Sequence, residues 1–415
     1  MLTRRTFSKY LLAGGATLLD AKASRPADAR FVLPGQDSSI RDCDLLIQGG
    51  TVIDPGQHLH AEMDVAIKGG KILEVSNNFP EGRARTVVSA KDKIVTPGLV
   101  DLHVHCFDGF GGVNADHYCL GRGSTTVVDC GSSGYAMIGG FVKYIVHAAS
   151  TRIFALVDIG ALGTVFGTKD SMKNLDWVNP TLTANAADAN KPAVVGIKVR
   201  LQQSIQGTND MECLKRALAA AEKSRLPLMA HVSDPFSPLP DILKMMRKGD
   251  VVTHMYNGHP HGILDSNGKI LPEVLEARER GVIFDSAHGR SHFSFGVAEK
   301  ALQQNFLPDT ISTDLSEGNI NGPVFDLPTT ISKFLAIGMG LDKAIGRVTA
   351  RPAGVFDYGV PVGTLRQGSE ADVSIFELNE GNYEFVDSDQ QKRIGRQKLV
   401  NTATICRGEL FINEA

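Results

Sequence analysis

The 415-residue sequence has no CxxC pair, no surplus of either charge and no internal repeat. Its cysteines, Cys43, Cys106, Cys119, Cys130, Cys213 and Cys406, are scattered, so neither a zinc knuckle nor a disulfide framework is readable from them. With 43 Lys and Arg against 46 Asp and Glu, the formal net charge is −3, too balanced for a protein whose partner is nucleic acid. The absence of self-similarity at fixed periods excludes a solenoid. The apolar run Leu11 to Leu19 falls well short of the roughly 20 residues that a membrane-spanning helix needs, which argues against a permanent anchor.

What is present points to a soluble globular enzyme: 42% of residues are hydrophobic and 21% charged, and the chain is long enough to bury a large core. The first residues read as a targeting segment, with Arg4 and Arg5 ahead of the short apolar run and small residues after it. With Phe7 and Lys9 following the arginine pair, residues 1–29 resemble a twin-arginine export signal. That resemblance implies contact with the export machinery, a periplasmic or extracellular location, and cleavage after Ala23 or Ala29.

From Cys43 to about residue 95, alternating runs broken by Gly-Gly and Pro-Gly pairs, such as "DVAIKGGKILEVS", predict β-hairpins. A second β-rich piece, residues 359–415, predicts the remaining strands of the same domain, a small β-sandwich formed by both chain ends. Between them, over 96–358, the runs "GLVDLHVH", "STTVVDCG", "IFALVDIG", "AVVGIKVRL", "PLMAHVS", "DVVTHMYN", "VIFDSAHG" and "TISTDLS" alternate with helical or loop segments. Parallel strands in that number, over an interval near 250 residues, predict an α/β fold of the (β/α)8 TIM-barrel type.

Polar residues of one chemical kind recur at or near the C-terminal ends of these strands: His103, His105, Lys198, His231, His254 and Asp314. In such a barrel that rim carries the active site, so residues distant in sequence converge there. His103 and His105, two apart on a strand, share a face. Imidazole nitrogens with a carboxylate suit Zn²⁺ or a similar divalent ion. Lys198, in an apolar strand, loses hydration and needs neutralising, either by a buried ion pair or by reaction of the amine with CO₂ to give a carbamate.

These residues resemble the binuclear pattern of the amidohydrolase superfamily, and "TARPAGVFDYGVPVGTLRQGSEADVSIFEL" is similar to its closing segment. The resemblance implies one metal on His103, His105 and Asp314, a second on His231 and His254, and N6-carboxylysine at Lys198 bridging both. "GIKVRLQ", "THMYNG" and "FDSAHGRSHFSF" look most like the dihydroorotase-related deacetylases, which hydrolyse acetylated amino acids and acetylated α-hydroxy acids. D-aminoacylases are similar in placing a cysteine at the end of strand two, where Cys130 stands. The motif around it lacks their Gly-Asn, which favours Lys198 as the bridge. Cys106 is expected to pack on the opposite side of its strand.

Asp314 is the expected general base and then acid. Arg200, two residues past Lys198 and hence on the same face, has a guanidinium fork suited to a substrate carboxylate. His288 is expected to orient the substrate or bond its oxyanion, with Tyr256 and Asn257 as further substrate contacts. His259, His261 and His292 are expected at the surface or in support, and His58, His60, His117 and His147 in solvated loops. The loops "GALGTVFG", "SDPFSPLP" and "SEGNINGPVFD" are expected to shape the pocket. The leading reading is a metal-dependent deacetylase of a small acylated acid, cleaving an amide or ester, with homo-oligomerisation open. A cyclic amidase, a dipeptidase or D-aminoacylase, and a catalytically silent metal-binding protein are the alternatives, the last disfavoured by Asp314.

Overall fold

The structure, a computed structural model, describes residues 42–165, 169 and 171–412. The expected export signal lies outside them. Strands β1 (Cys43–Asp54), β2 (Leu59–Lys68), β3 (Lys71–Ser76), β4 (Ala84–Ser89) and β5 (Ile94–Pro97) come from the first part of the chain. β6 to β12 follow at Leu99–Val104, Ser124–Gly134, Arg152–Asp158, Val194–Leu201, Leu228–Val232, Val251–Thr253 and Ile283–Asp285. The last part of the chain supplies β13 (Val373–Val386), β14 (Lys392–Cys406) and β15 (Glu409–Ile412).

The two chain ends join in one eight-stranded sheet, ordered β15-β14-β13-β5-β1-β2-β3 with β4 beside β1. The sheet forks at β1: residues 43–48 pair with β4, while Thr51 and Val52 pair with β5. β2 and β3 form the hairpin that Gly-Gly foretold, with Gly69 and Gly70 both at positive φ, which the tight turn requires. Leu45, Ile47, Val65, Val95, Val373 and Ile405 bury one core of this sheet.

β6 to β12 form a seven-stranded parallel sheet in chain order. Val-, Ile- and Leu-rich runs buried along their whole length are what parallel strands covered on both faces require; every residue of β9 is buried. Residues 310–315 close the barrel: Thr310 bridges to Asp285, Leu315 bridges to Val104, and the Asp314 amide donates to the His103 carbonyl at 2.7 Å. This eighth stretch departs from regular strand geometry because Asp314 sits at φ 52°, in the left-handed region.

Helices α1 (Ile138–Tyr144), α2 (Pro180–Ala189), α3 (Asp210–Ser224), α4 (Leu239–Met245), α5 (Pro272–Glu279), α6 (Phe295–Gln303) and α7 (Leu327–Ala336) fill the intervals. Asn179 caps α2 through the Leu182 amide, and Asp326 caps α7 through the Thr329 amide. At the start of α3 the Asn209 side chain makes no cap bond, and Asp210 accepts from the Ser237 hydroxyl and backbone amide, tying down the loop after β10. Ile197, Val199 and Leu201 of β9 join the main core with Leu214, Ala217 and Ala221 of α3. Fully burying each large side chain there is worth roughly 1.5–3 kcal/mol. Beneath the barrel mouth, Leu156, Met229, Val251, Phe356 and Tyr358 form a separate apolar plug.

Candidate metal centre

His103, His105, Lys198, His231, His254 and Asp314 converge at the C-terminal mouth of the barrel. Lys198 Nζ lies 3.1 Å from His103 Nε2 and 3.4 Å from Met229 Sδ. Asp314 Oδ1 lies 3.4 Å from His103 Nε2 and 3.2 Å from His105 Nε2. The rings of His103 and His254 are 5.0 Å apart, and those of His231 and His254 are 4.2 Å apart. His254 and Asp314 both adopt positive φ, strain of the kind that surrounding structure holds in place at functional sites.

The hydrogen bonds behind the imidazoles set which nitrogen faces inward. His254 Nδ1 lies 2.8 Å from the Ala287 carbonyl, which can only accept, so Nδ1 carries the proton and Nε2 presents its lone pair. His103 Nδ1 lies 3.0 Å from the Thr253 hydroxyl, which itself donates to Asp285 Oδ2 at 2.8 Å, so the histidine again donates from Nδ1. Asp285 also accepts from Thr310 and Ser312. Burial pushes its carboxyl up to about 6, with those donors pulling the other way. His105 Nδ1 lies 3.0 Å from Ser132 Oγ. Partners of this kind fix tautomer and orientation behind metal-binding histidines.

Burial pushes His103, His231 and His254 well below the usual imidazole range, leaving them neutral at pH 7. Burial pushes the Asp314 carboxyl up, but the hydrogen bond with His105 and the neighbouring imidazoles outweigh it and hold it at about 2. Lys198 is 1% exposed, burial lowers its pKa, and no carboxylate among the described residues pairs with it. The buried ion pair that could have neutralised this lysine is therefore not formed among those residues.

The fit to divalent cations rests on orphaned donor atoms. His231 Nε2 and His254 Nε2 are buried without a hydrogen-bond partner. Such atoms normally find one, since an unsatisfied buried polar group costs about 1–3 kcal/mol. The donor atoms of His103, His254 and Asp314 lie within 4.8 Å of one another, as do those of His231, His254 and His292.

Arg200 is 3% exposed and pairs with His231 across β9 and β10, so the two share a face of the sheet. Its Nε donates to Asp158 Oδ2 at 3.1 Å, while both terminal nitrogens are buried without a partner. Phe110, Phe236 and Phe325, on the loops after the first, fifth and eighth strands, are exposed at the same end of the barrel.

Four expectations need correction. His288 is engaged at both nitrogens, Nδ1 with the Gly289 carbonyl at 2.8 Å and Nε2 with Lys333 Nζ at 2.7 Å, which leaves none for a substrate. Tyr256 points into the outer core, where its hydroxyl donates to the Phe306 carbonyl at 2.9 Å. Asn257 spends its amide on the Val232 and His254 carbonyls and its oxygen on the His259 amide. His292, expected at the surface or in support, is 8% exposed with its ring centroid 4.3 Å from that of His254. The rim logic that nominated His288 applied equally to His292, four residues further on. Cys130 lies against the Leu102 carbonyl and Met229 Sδ, and Cys106 hydrogen-bonds Asp129.

The amidohydrolase family model matches residues 94–403. This chain belongs to the amidohydrolase family. It is therefore a hydrolase acting on carbon–nitrogen bonds, with the divalent-metal chemistry general to that family. It is 33% identical over 377 residues to a curated deacetylase of Enterococcus faecalis, an alignment spanning 90% of this chain and all of that one. A solved structure described as an adenine deaminase is 34% identical, with a TM-score of 0.83 over 90% of this chain and 100% of its own. A solved dihydroorotase is 29% identical, with a TM-score of 0.81 over 89% of this chain and 99% of its own.

Proposed function

We propose that this amidohydrolase removes an acyl group from a small acid, an N-acyl amino acid or an O-acyl hydroxy acid, at a site that would hold two divalent cations, zinc by the character of its donors, with carbamylated Lys198 among the groups that would hold them. The observation that carries the substrate class is the Arg200 guanidinium, buried beside His231 with both terminal nitrogens unpaired. A fork of that kind matches a carboxylate, with two parallel charge-assisted hydrogen bonds. Names borne by relatives agree at the level of deacetylation. Exposed phenylalanines on the surrounding loops offer an apolar rest for the remainder of such a substrate. A buried amine whose pKa is lowered by burial, with no carboxylate in ion-pair contact among the described residues, favours the uncharged form that adds CO₂, and the resulting anion would compensate the cations.

In this reading His103, His105 and Asp314 would hold one cation and His231 and His254 the other, with the Lys198 carbamate as a further ligand. When bound, such cations would supply Lewis acidity, which lowers the pKa of water towards about 7. Asp314, ionised at neutral pH, would accept a proton from the water that adds to the acyl carbon and return it to the departing nitrogen or oxygen. Arg200 fixes the acid end, so that the scissile bond is presented to Asp314 in one orientation. Residues 1–29 direct the chain to the periplasm or beyond.

Hydrolysis of a matched panel tests this: acetate release from D and L N-acetyl amino acids, R and S O-acetyl hydroxy acids and the corresponding carboxamides, with adenine and dihydroorotate followed by their own products. Turnover of the acids above their carboxamides is expected. Ammonia release from adenine, or ring opening of dihydroorotate, with the acyl acids inert, would replace the proposal by a deaminase or a cyclic amidase. Dihydroorotate is the sharper rival, because it too carries a carboxylate for Arg200.

A further inference from the structure

We infer that His292 is a third protein ligand for the cation held by His231 and His254, so that this position binds a divalent ion without the Lys198 bridge. The inference rests on the two-cation reading above and deepens it. The rings of His231, His254 and His292 form a closed triangle, with centroids 4.2, 4.8 and 4.3 Å apart. All three side chains are buried, and one donor atom from each lies within 4.8 Å of the others. Nitrogens around a tetrahedral zinc, each at about 2.0–2.1 Å, stand about 3.4 Å apart, so a closure of little more than an ångström completes the set. Three imidazoles are by themselves a sufficient protein ligand set for one zinc ion.

His292 is built into this place. Its Nδ1 lies 2.9 Å from Ser233 Oγ, whereas Nε2 has only a long 3.4 Å contact with Ser291 Oγ. The next residues are clamped: the Phe293 amide donates to Ser388 Oγ, the Ser388 amide to the Phe293 carbonyl, and the Ser294 amide to the Tyr256 carbonyl. The preceding turn needs Gly289, at φ 57°, because a Cβ there would stand 2.5 Å from Asp314 Oδ2 and 2.8 Å from His292 Cδ2. A substrate contact alone would not require His292 to face two orphaned imidazole nitrogens. With His292 the position at His231 and His254 has three protein ligands of its own and fills without CO₂.

Metal content decides it, read by mass spectrometry after equilibration of the full-length protein with Zn²⁺ and gel filtration, and by the visible absorption of the Co²⁺-loaded protein. The variants are Lys198→Ala, His292→Ala, His292→Gln and the double Lys198→Ala/His292→Ala, each checked for folding by circular dichroism. Wild type should carry two ions per chain, Lys198→Ala should keep an ion with a three-nitrogen Co²⁺ spectrum, and the double variant should lose that ion and that spectrum. An empty Lys198→Ala, or His292 variants with wild-type content, affinity and spectrum, would overturn the inference while the two-cation reading stands. A wild type with a single ion that is lost in His292→Gln would support the three-imidazole site and sink the two-cation reading.

Discussion

Replacing Arg200 by lysine separates recognition of the acid from the chemistry. The guanidinium has two jobs: Nε bonds Asp158 at 3.1 Å, and two terminal nitrogens are left for a ligand. Methionine would be a poor probe, because Asp158 is 0% exposed and among the described residues would keep only the Gly160 amide, at 2.7 Å. Stranding a buried carboxylate in that way costs about 3–5 kcal/mol of stability. Lysine retains the charge and a donor but loses the fork. A charge-assisted hydrogen bond contributes about 1.5–3 kcal/mol, so losing one, and weakening the other, removes about 2–4 kcal/mol. That corresponds to about 30- to 1,000-fold in kcat/KM, and it should fall mainly on KM, since the contact is made before and during bond breaking. The assay is steady-state hydrolysis of an N-acetyl amino acid and of its carboxamide by wild type and Arg200→Lys. The acid should lose most of its advantage while the carboxamide changes by less than about threefold. Equal losses on both substrates would refute a carboxylate contact and leave Arg200 as a scaffold residue.

Three other outcomes follow from the geometry. Asp314→Asn should lower kcat by about 10²–10⁴-fold with most of the metal retained, as measured by metal analysis of the purified variant, because the amide can fill the same space but cannot take a proton. Gly289→Ala places a methyl 2.5 Å from Asp314 Oδ2, so metal content and activity should both fall while circular dichroism shows a folded barrel. Lys333, 1% exposed, is pushed by burial down to about 7. Between pH 7 and about 10 the unfolded chain then binds the extra proton, so wild-type stability should rise with pH over that window by a few kcal/mol, on the order of 1.4 kcal/mol per pKa unit. Denaturant melts of Lys333→Met should lack this rise; parallel pH profiles would show that Lys333 is not its source.

Much of the architecture was legible because its signals are local. Continuous Val- and Ile-rich runs need no tertiary information to be read as buried parallel strands, and Gly69-Gly70 announces its hairpin without reference to any partner. The polar residues that interrupt those runs were legible for the same reason: a histidine, a lysine or an aspartate within an apolar strand has to be accounted for. Reading failed where a residue's role depends on which way a loop turns. Tyr256 and Asn257 lie two and three residues past His254, but the left-handed turn at His254 directs them into backbone hydrogen bonds and core packing.

The spacing of apolar and polar residues along this chain was sufficient to set the barrel, the sheet joining its two ends and the ring of imidazole, amine and carboxylate at one rim, because strand periodicity converts sequence position into direction. Only the tertiary structure could decide between His288 and His292. The Lys333 amine, far along the chain, occupies Nε2 of the first, while the turn at Gly289 and the hairpin contact at Ser388 swing the second into the imidazole cluster. Those partners are distant in sequence, and it is through-space contact, which no local pattern records, that allocates each nitrogen its task.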